Sequence, residues 1–246
     1  FSPKRNTTNK LESNLKSGLL LFSGVFDLSE ILIEEINSDV WEKQKFEPIE
    51  INDIQILPSK DHSLKKGYIG IVIEPSMAFG TGHHGTTAGC VNALLEIQKT
   101  INVKYFLDIG TGSGLLSIAA NKIWKCRGIG IDHDKKSIEV ARNNIIKNNC
   151  RNKVKVRLLD ITTESYKLRC SVKFDLIMIN ILANVIVQAK WEIANLISKN
   201  GILIVSGFTK EQKKKVRVSY QNLGFIVLRD FTINNWVTLV MRAPNF

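Results

Sequence analysis

Two polar residues, each closing an apolar run, carry most of the chemistry this sequence offers. Asn180 ends "FDLIMIN" and Asp132 ends "GIGID". The amide of Asn180 is no general base, but its oxygen can accept a hydrogen bond from an amine and aim the nitrogen lone pair. A carboxylate at Asp132, 22 residues after Gly110, can accept both hydroxyls of a ribose, as acids at this place do in doubly wound folds. "FLDIGTGSG", residues 106 to 114, follows a strand and opens a helix. There Gly110 permits the sharp turn, Gly112 lets a ligand approach the backbone, and Gly114 lets the helix start pack tightly. The spacing is G-x-G-x-G, with Leu115 where a dinucleotide fingerprint has its third glycine, so a pyrophosphate is disfavoured. Asp108, just ahead of the loop, suits a ligand with an ammonium or sulfonium group. Plainer readings compete: a tight strand-to-helix turn for the loop, and for Asn180 a satisfied turn with Asn184 capping the next helix.

Three further features refine the site. Asp134 is placed to cap a helix beginning near Lys135, while Asp160 either faces the amino group of an adenine or starts a turn. After Asn180 the sequence runs "NILA", without the prolines and ring of an N-P-P-aromatic motif, which argues against a flipped nucleobase and for a flexible aliphatic amine. "EPSMAFGTGHHGTTAGC", residues 74 to 90, concentrates glycines, hydroxyls and two histidines. His83 and His84 are adjacent, so their rings diverge, and no cysteine cluster accompanies them; no zinc site is expected.

These residues need a scaffold that brings strand ends together. Apolar runs "VKYFLDI", "RGIGID", "VKVRLLD" and "FDLIMIN" alternate with helical segments at 115 to 124 and 135 to 148. Runs without polar alternation belong to a buried parallel sheet. A helix at 184 to 198 precedes "GILIVSG", and one at 209 to 222 precedes "GFIVLRDF"; the closing "NNWVTLVMR" follows so closely that "INN" makes a hairpin. "GYIGIVI" reads as a strand, with a helix from His84 to Ile97 after the glycine-rich loop. Upstream, "PIEINDIQILP" reads as an extended linker or edge strand, and "LSEILIEEI" as a short helix capped by Ser29. The expected fold class is α/β: a seven-stranded doubly wound, Rossmann-like sheet that, with its C-terminal antiparallel hairpin, resembles the methyltransferase variant more than the nicotinamide-binding one, plus a small divergent α/β N-terminal domain.

Composition narrows the class of protein. The chain has 246 residues, enough for one α/β domain and a small accessory piece, and no apolar run long enough to span a membrane. Cys90, Cys126, Cys150 and Cys170 form no C-x-x-C pair, so reduced thiols in the cytoplasm are expected. No secretory leader is read at an amino end that opens on Phe1. The net charge of +11 and runs such as "KEQKKKVR" fit a polyanionic neighbour or, equally, solvated helix faces in a lysine-rich sequence.

Taken together, these motifs resemble the PrmA family of ribosomal protein methyltransferases. "EPSMAFGTGHHGTT" follows the family loop D/E-P-G-x-A-F-G-T-G-x-H-x-T-T, apart from Ser76 for a frequent glycine and Glu74 where aspartate is common. "LDIGTGSGLLSIAA", "GIGIDHD", "NILAN" and "SGFTKEQ" match in turn, over about residues 46 to 246. The resemblance implies a methyl donor, S-adenosyl-L-methionine, and as acceptors lysine and/or N-terminal amines of the large-subunit ribosomal protein L11. It implies donor contacts from Thr87, Gly110, Asp132 and Asn180, joined by Gly112 from the loop reading, with Asn180 also orienting the amine as the catalytic residue. It further implies that Phe79 closes the pocket, Gly80 and Gly82 bend the loop, and His84 shapes the pocket. The expected domains are a reduced substrate-recognition segment at 1–45, a linker at 46–66 and the methyltransferase domain at 67–246. A monomer near ribosomal RNA, away from membranes, completes the expectation. An RNA-directed enzyme of the same fold and a non-catalytic ribosome-binding module are the alternatives; a nicotinamide oxidoreductase is disfavoured by the glycine spacing.

Overall fold

A computed structural model of the chain describes residues 47–74, 85–168 and 173–245. The expected helix at 28 to 36 and the loop residues Phe79, Gly80, Gly82, His83 and His84 lie outside them. Ten strands are described: β1 (Ile49–Ile51), β2 (Ile54–Leu57), β3 (Ile69–Val72), β4 (Tyr105–Ile109), β5 (Arg127–Asp132), β6 (Val154–Leu158), β7 (Phe174–Asn180), β8 (Ile197–Thr209), β9 (Ile226–Ile233) and β10 (Trp236–Arg242). The helices among them are α1 (Gly85–Ile97), α2 (Leu115–Trp124), α3 (Lys135–Lys147), α4 (Ile161–Glu164), α5 (Ala183–Gln188), α6 (Lys190–Leu196) and α7 (Lys210–Gln221).

Seven strands form one sheet in the order β6-β5-β4-β7-β8-β10-β9, parallel from β6 to β8 and antiparallel at β10 and β9. Alternate residues serve two cores. Phe106, Leu176, Met178, Ile204 and Val240 pack on the side of α1 and α2. Leu107, Ile109, Ile177, Ile179, Val205 and Leu239 pack on the other side, with residues of α5, α6 and α7. Burial on both faces explains why these strands read as unbroken apolar runs. The closing hairpin turns on two residues, Asn234 (φ 47°) and Asn235 (φ 69°), the left-handed pair that a two-residue turn between twisted strands demands.

The stretch expected as linker or edge strand supplies β1 and β2. They join β3 in a separate three-stranded sheet, antiparallel between β1 and β2 and parallel between β2 and β3. "GYIGIVI" therefore stands outside the large sheet. The helix expected at 184 to 198 is two helices meeting at Ala189, and its last residues pass to β8, where Ile197 pairs with Phe174. Consecutive Val185, Ile186 and Val187 favour helix weakly, and strand pairing claims the end.

Candidate active site

The chain order of the sheet reverses between β4 and β7, and a cavity of about 600 Å³ opens beyond the carboxyl ends of these strands and β5. Such a crevice is where open α/β sheets hold ligands. Its wall includes Gly110, Gly112, Asp132, Asp160, Asn180 and Gly207. Apolar side chains of Ile131, Leu159 and Ile161 give it a greasy strip, and Leu182, 73% exposed, stands on its wall beside Asn180.

Asp132 is 8% exposed at the tip of β5. Its Oδ2 accepts the Gly112 N–H at 3.0 Å and its Oδ1 the Asp134 N–H at 3.0 Å. The carboxylate thus ties the glycine loop to the start of α3, with the His133 Nδ1 3.6 Å from its Oδ1, and it keeps further acceptor capacity at the cavity wall. Asp134 caps α3, accepting from the amides of Lys136 and Ser137; its bonds to Ser137 and Lys136 hold its carboxyl below the usual range. Asp160 starts the turn into α4, which it caps through the Thr162 amide and hydroxyl, and it also lines the cavity.

Asp108 departs from expectation. It is 1% exposed and does not line the cavity; its Oδ2 accepts from Thr111 Oγ1 (2.7 Å), Ser117 N (3.1 Å) and Ser117 Oγ (2.8 Å). It buttresses the glycine loop from beneath. Burial pushes its carboxyl up to about 6, against the lowering effect of those hydrogen bonds.

Asn180 lines the cavity at the end of β7, and its Oδ1 is buried with no hydrogen-bond partner among the described residues. Asn184 is not a cap: α5 starts after Leu182, and the Asn184 Oδ1 accepts from Lys215 Nζ at 3.0 Å. Thr87 is buried in the first turn of α1 with its hydroxyl likewise unpartnered, whereas its neighbour Thr86 reaches the cavity wall. The structure thus brings Gly110, Gly112, Asp132 and Asn180 together around one space, and Thr87 is not among the residues that line it. Ile181, Gly207 and Trp236 also line that space. Ile181 and Gly207 fall within the quoted "NILAN" and "SGFTKEQ" stretches, but nothing read from the sequence assigned either of them, or Trp236, a place at the site. Among the described residues no cluster of three or more His, Cys, Asp or Glu is arranged to hold a metal ion.

The sequence as a whole matches a known family. The profile of the ribosomal protein L11 methyltransferases (PrmA) matches residues 5–244. The chain belongs to this family. A ribosomal protein L11 methyltransferase of Ruminiclostridium cellulolyticum is 32% identical over 250 residues, covering 98% of this chain and 77% of the relative. One from Alkaliphilus oremlandii is 34% identical over 223 residues, covering 87% and 68%. Among solved structures, a ribosomal protein L11 methylase from Lactobacillus delbrueckii subsp. bulgaricus superposes with a TM-score of 0.70 at 23% identity, over 81% of this chain and all of that one. That likeness speaks for the PrmA fold.

Proposed function

We propose that this chain transfers a methyl group from S-adenosyl-L-methionine to amines of ribosomal protein L11, at lysine side chains and/or the N-terminus. The observation that carries this reading is the buried, unpartnered Oδ1 of Asn180 at the wall of the cavity. An orphaned buried acceptor costs roughly 1–3 kcal/mol, and an amine N–H brought to it would offset that cost.

The residues present fit the donor. A cavity of about 600 Å³ accommodates a nucleoside with a short side chain. Asp132 supports a ribose-binding role with the acceptor capacity that it keeps at the cavity wall beyond its bonds to the Gly112 and Asp134 amides. Gly110 and Gly112 present backbone without Cβ atoms, and Ile131, Leu159 and Ile161 offer an apolar wall for a base. Thr87 belongs to this set as an expected donor contact whose hydroxyl still lacks a partner.

When bound, S-adenosyl-L-methionine supplies a methyl group already activated by its sulfonium. What remains for the protein is alignment and a neutral acceptor. A lysine amine, with a reference pKa of about 10.4, must lose a proton at a cost of roughly 4–5 kcal/mol near pH 7; an α-amine near 7.7–8.0 needs far less. The apolar wall disfavours an ammonium, and Asn180 holds the neutral amine through its oxygen, which directs the nitrogen lone pair.

The same reading places the enzyme in the cytoplasm as a monomer near ribosomal RNA. α7 bears exposed Lys210, Lys214, Lys215 and Arg217, and it packs on α5, which contributes Val185 and Gln188 to the cavity wall.

The test is transfer of labelled methyl to ribosomal proteins from a methylation-deficient bacterium, with mass spectrometry of the labelled band. Label on L11 lysines or its N-terminus is expected, and label confined to RNA would overturn the reading. In parallel, Asn180→Ala should lose transfer on the order of 100-fold with donor affinity little changed. Equal losses would assign Asn180 to donor binding alone.

A further inference from the structure

Asn180 presents its amide from the last residue of β7, so the turn that follows decides where that amide sits. The first residue of that turn, Ile181, is gripped from both neighbouring strands. On one side, a Cβ built on Gly110 would lie 2.2 Å from Ile181 Cγ2. On the other, a Cβ on Gly207 would lie 2.1 Å from the carbonyl oxygen of Ile181, 2.7 Å from its carbonyl carbon and 2.9 Å from its nitrogen. The atoms in the way at Gly207 are backbone and cannot swing aside.

The place of Gly207 is itself built. Ser206 pairs with Asn180 across β7 and β8. On the opposite edge the ladder to β10 runs Val205↔Leu239 and then Phe208↔Val237, so Ser206 and Gly207 together oppose Thr238 alone. This is a β-bulge, the device that bends a strand and re-aims what stands beside it. Gly207 adopts φ 98°, which L side chains rarely tolerate. Ser206 secures the bulge by bonding Val237 O at 3.0 Å and Thr238 Oγ1 at 2.8 Å.

We propose that Gly207 is a positioning residue for the methyl acceptor: its bulge seats the Ile181 peptide and so fixes the turn from which Asn180 presents its amide. With Gly110 against the other side, Ile181 becomes the wedge that sets the spacing between the donor-side loop and the acceptor-side turn. Gly207 acts through Ile181 and Asn180. This proposal rests on the methyl-transfer reading above.

The experiment compares Gly207→Ala with Gly67→Ala. Gly67 has a similar φ of 89°, but a Cβ there meets nothing within 4 Å, so it reproduces the backbone strain without the collision. Methylation of purified L11 gives kcat, and calorimetry with S-adenosylhomocysteine gives donor-site affinity. For Gly207→Ala, kcat should fall on the order of 10- to 100-fold with affinity within about threefold, while Gly67→Ala keeps wild-type kcat. Equal kcat in the two variants, or a parallel loss of kcat and affinity at Gly207, would overturn the proposal. Should Gly207→Ala fail to fold, Ile181→Ala decides: it introduces no new contact, and an unchanged kcat would remove the wedge. Wild-type protein that leaves L11 unlabelled overturns the functional reading and this proposal with it, whereas labelled L11 with an unaffected Gly207→Ala overturns the proposal alone.

Discussion

Asp108 shows how a single buried carboxylate can serve a site it does not touch. Its Oδ2 gathers three donors from Thr111 and Ser117 and thereby shapes the loop that lines the cavity. Burial raises its pKa from 3.8 to about 6, so the folded protein holds this proton more tightly than the unfolded chain. The associated stability is fully present below about pH 4 and is lost as pH rises through 6. Asp108→Asn keeps an acceptor oxygen and carries no charge. It should therefore gain on the wild type between pH 4 and 7, by on the order of 1–3 kcal/mol. Urea melts at both pH values check this, and a difference independent of pH would refute it. The thiol of Cys90, in the same layer, is pushed up to about 12 by burial despite hydrogen bonds with Ser206 and Thr238; it stays protonated and inert.

At the scale of elements, α3 and the residues just beyond it fasten the small sheet to the large one. Asn148 Oδ1 accepts the Val72 N–H at 2.9 Å, and its Nδ2 donates to Val72 O at 2.7 Å and Asn144 O at 2.8 Å. Asn144 donates to Ser113 O in the glycine loop at 2.9 Å and accepts from the Glu74 amide at 3.4 Å, and Lys147 pairs with Glu74. One helix end thus joins β3 to the loop that lines the cavity. Asn148→Ala removes the side-chain partner of two part-buried backbone groups of Val72 and should cost roughly 1 kcal/mol. Hydrogen exchange at the Val72 amide should quicken selectively. Protection unchanged there would show that the two sheets dock without this clamp. In sequence, "KNNC" looks like nothing more than a helix end, because its partner lies 76 residues away.

The whole molecule carries a net charge of +11, and on α7 that charge is organised. Lys213 is paired with Asp230 and Lys215 with Asn184, while Lys210, Lys214 and Arg217 are exposed. If this face meets RNA, binding of a ribosomal RNA fragment should weaken steeply with salt, and Lys214→Ala should lower the salt slope by about one phosphate contact. Binding that Lys214→Ala leaves unaltered, or none at low salt, would mean that the lysines only solvate the helix. No helix among the described residues is long and apolar enough to cross a membrane.

What the sequence determined by itself is local. Strand ends marked by Asp132 and Asn180, the glycine loop, the Asp134 cap and the Asn234–Asn235 turn all depend on the conformations of neighbouring residues, which side-chain type restricts directly. Tertiary structure alone decided the rest. Asp108 reads as a ligand-facing charge until the helix start covers it, Thr86 and Thr87 are indistinguishable until α1 docks, and Ile181 is an ordinary isoleucine until Gly110 and Gly207 close on it. Each of these roles is set by the register between strands distant in the chain, and register follows from the packing of all the strands at once.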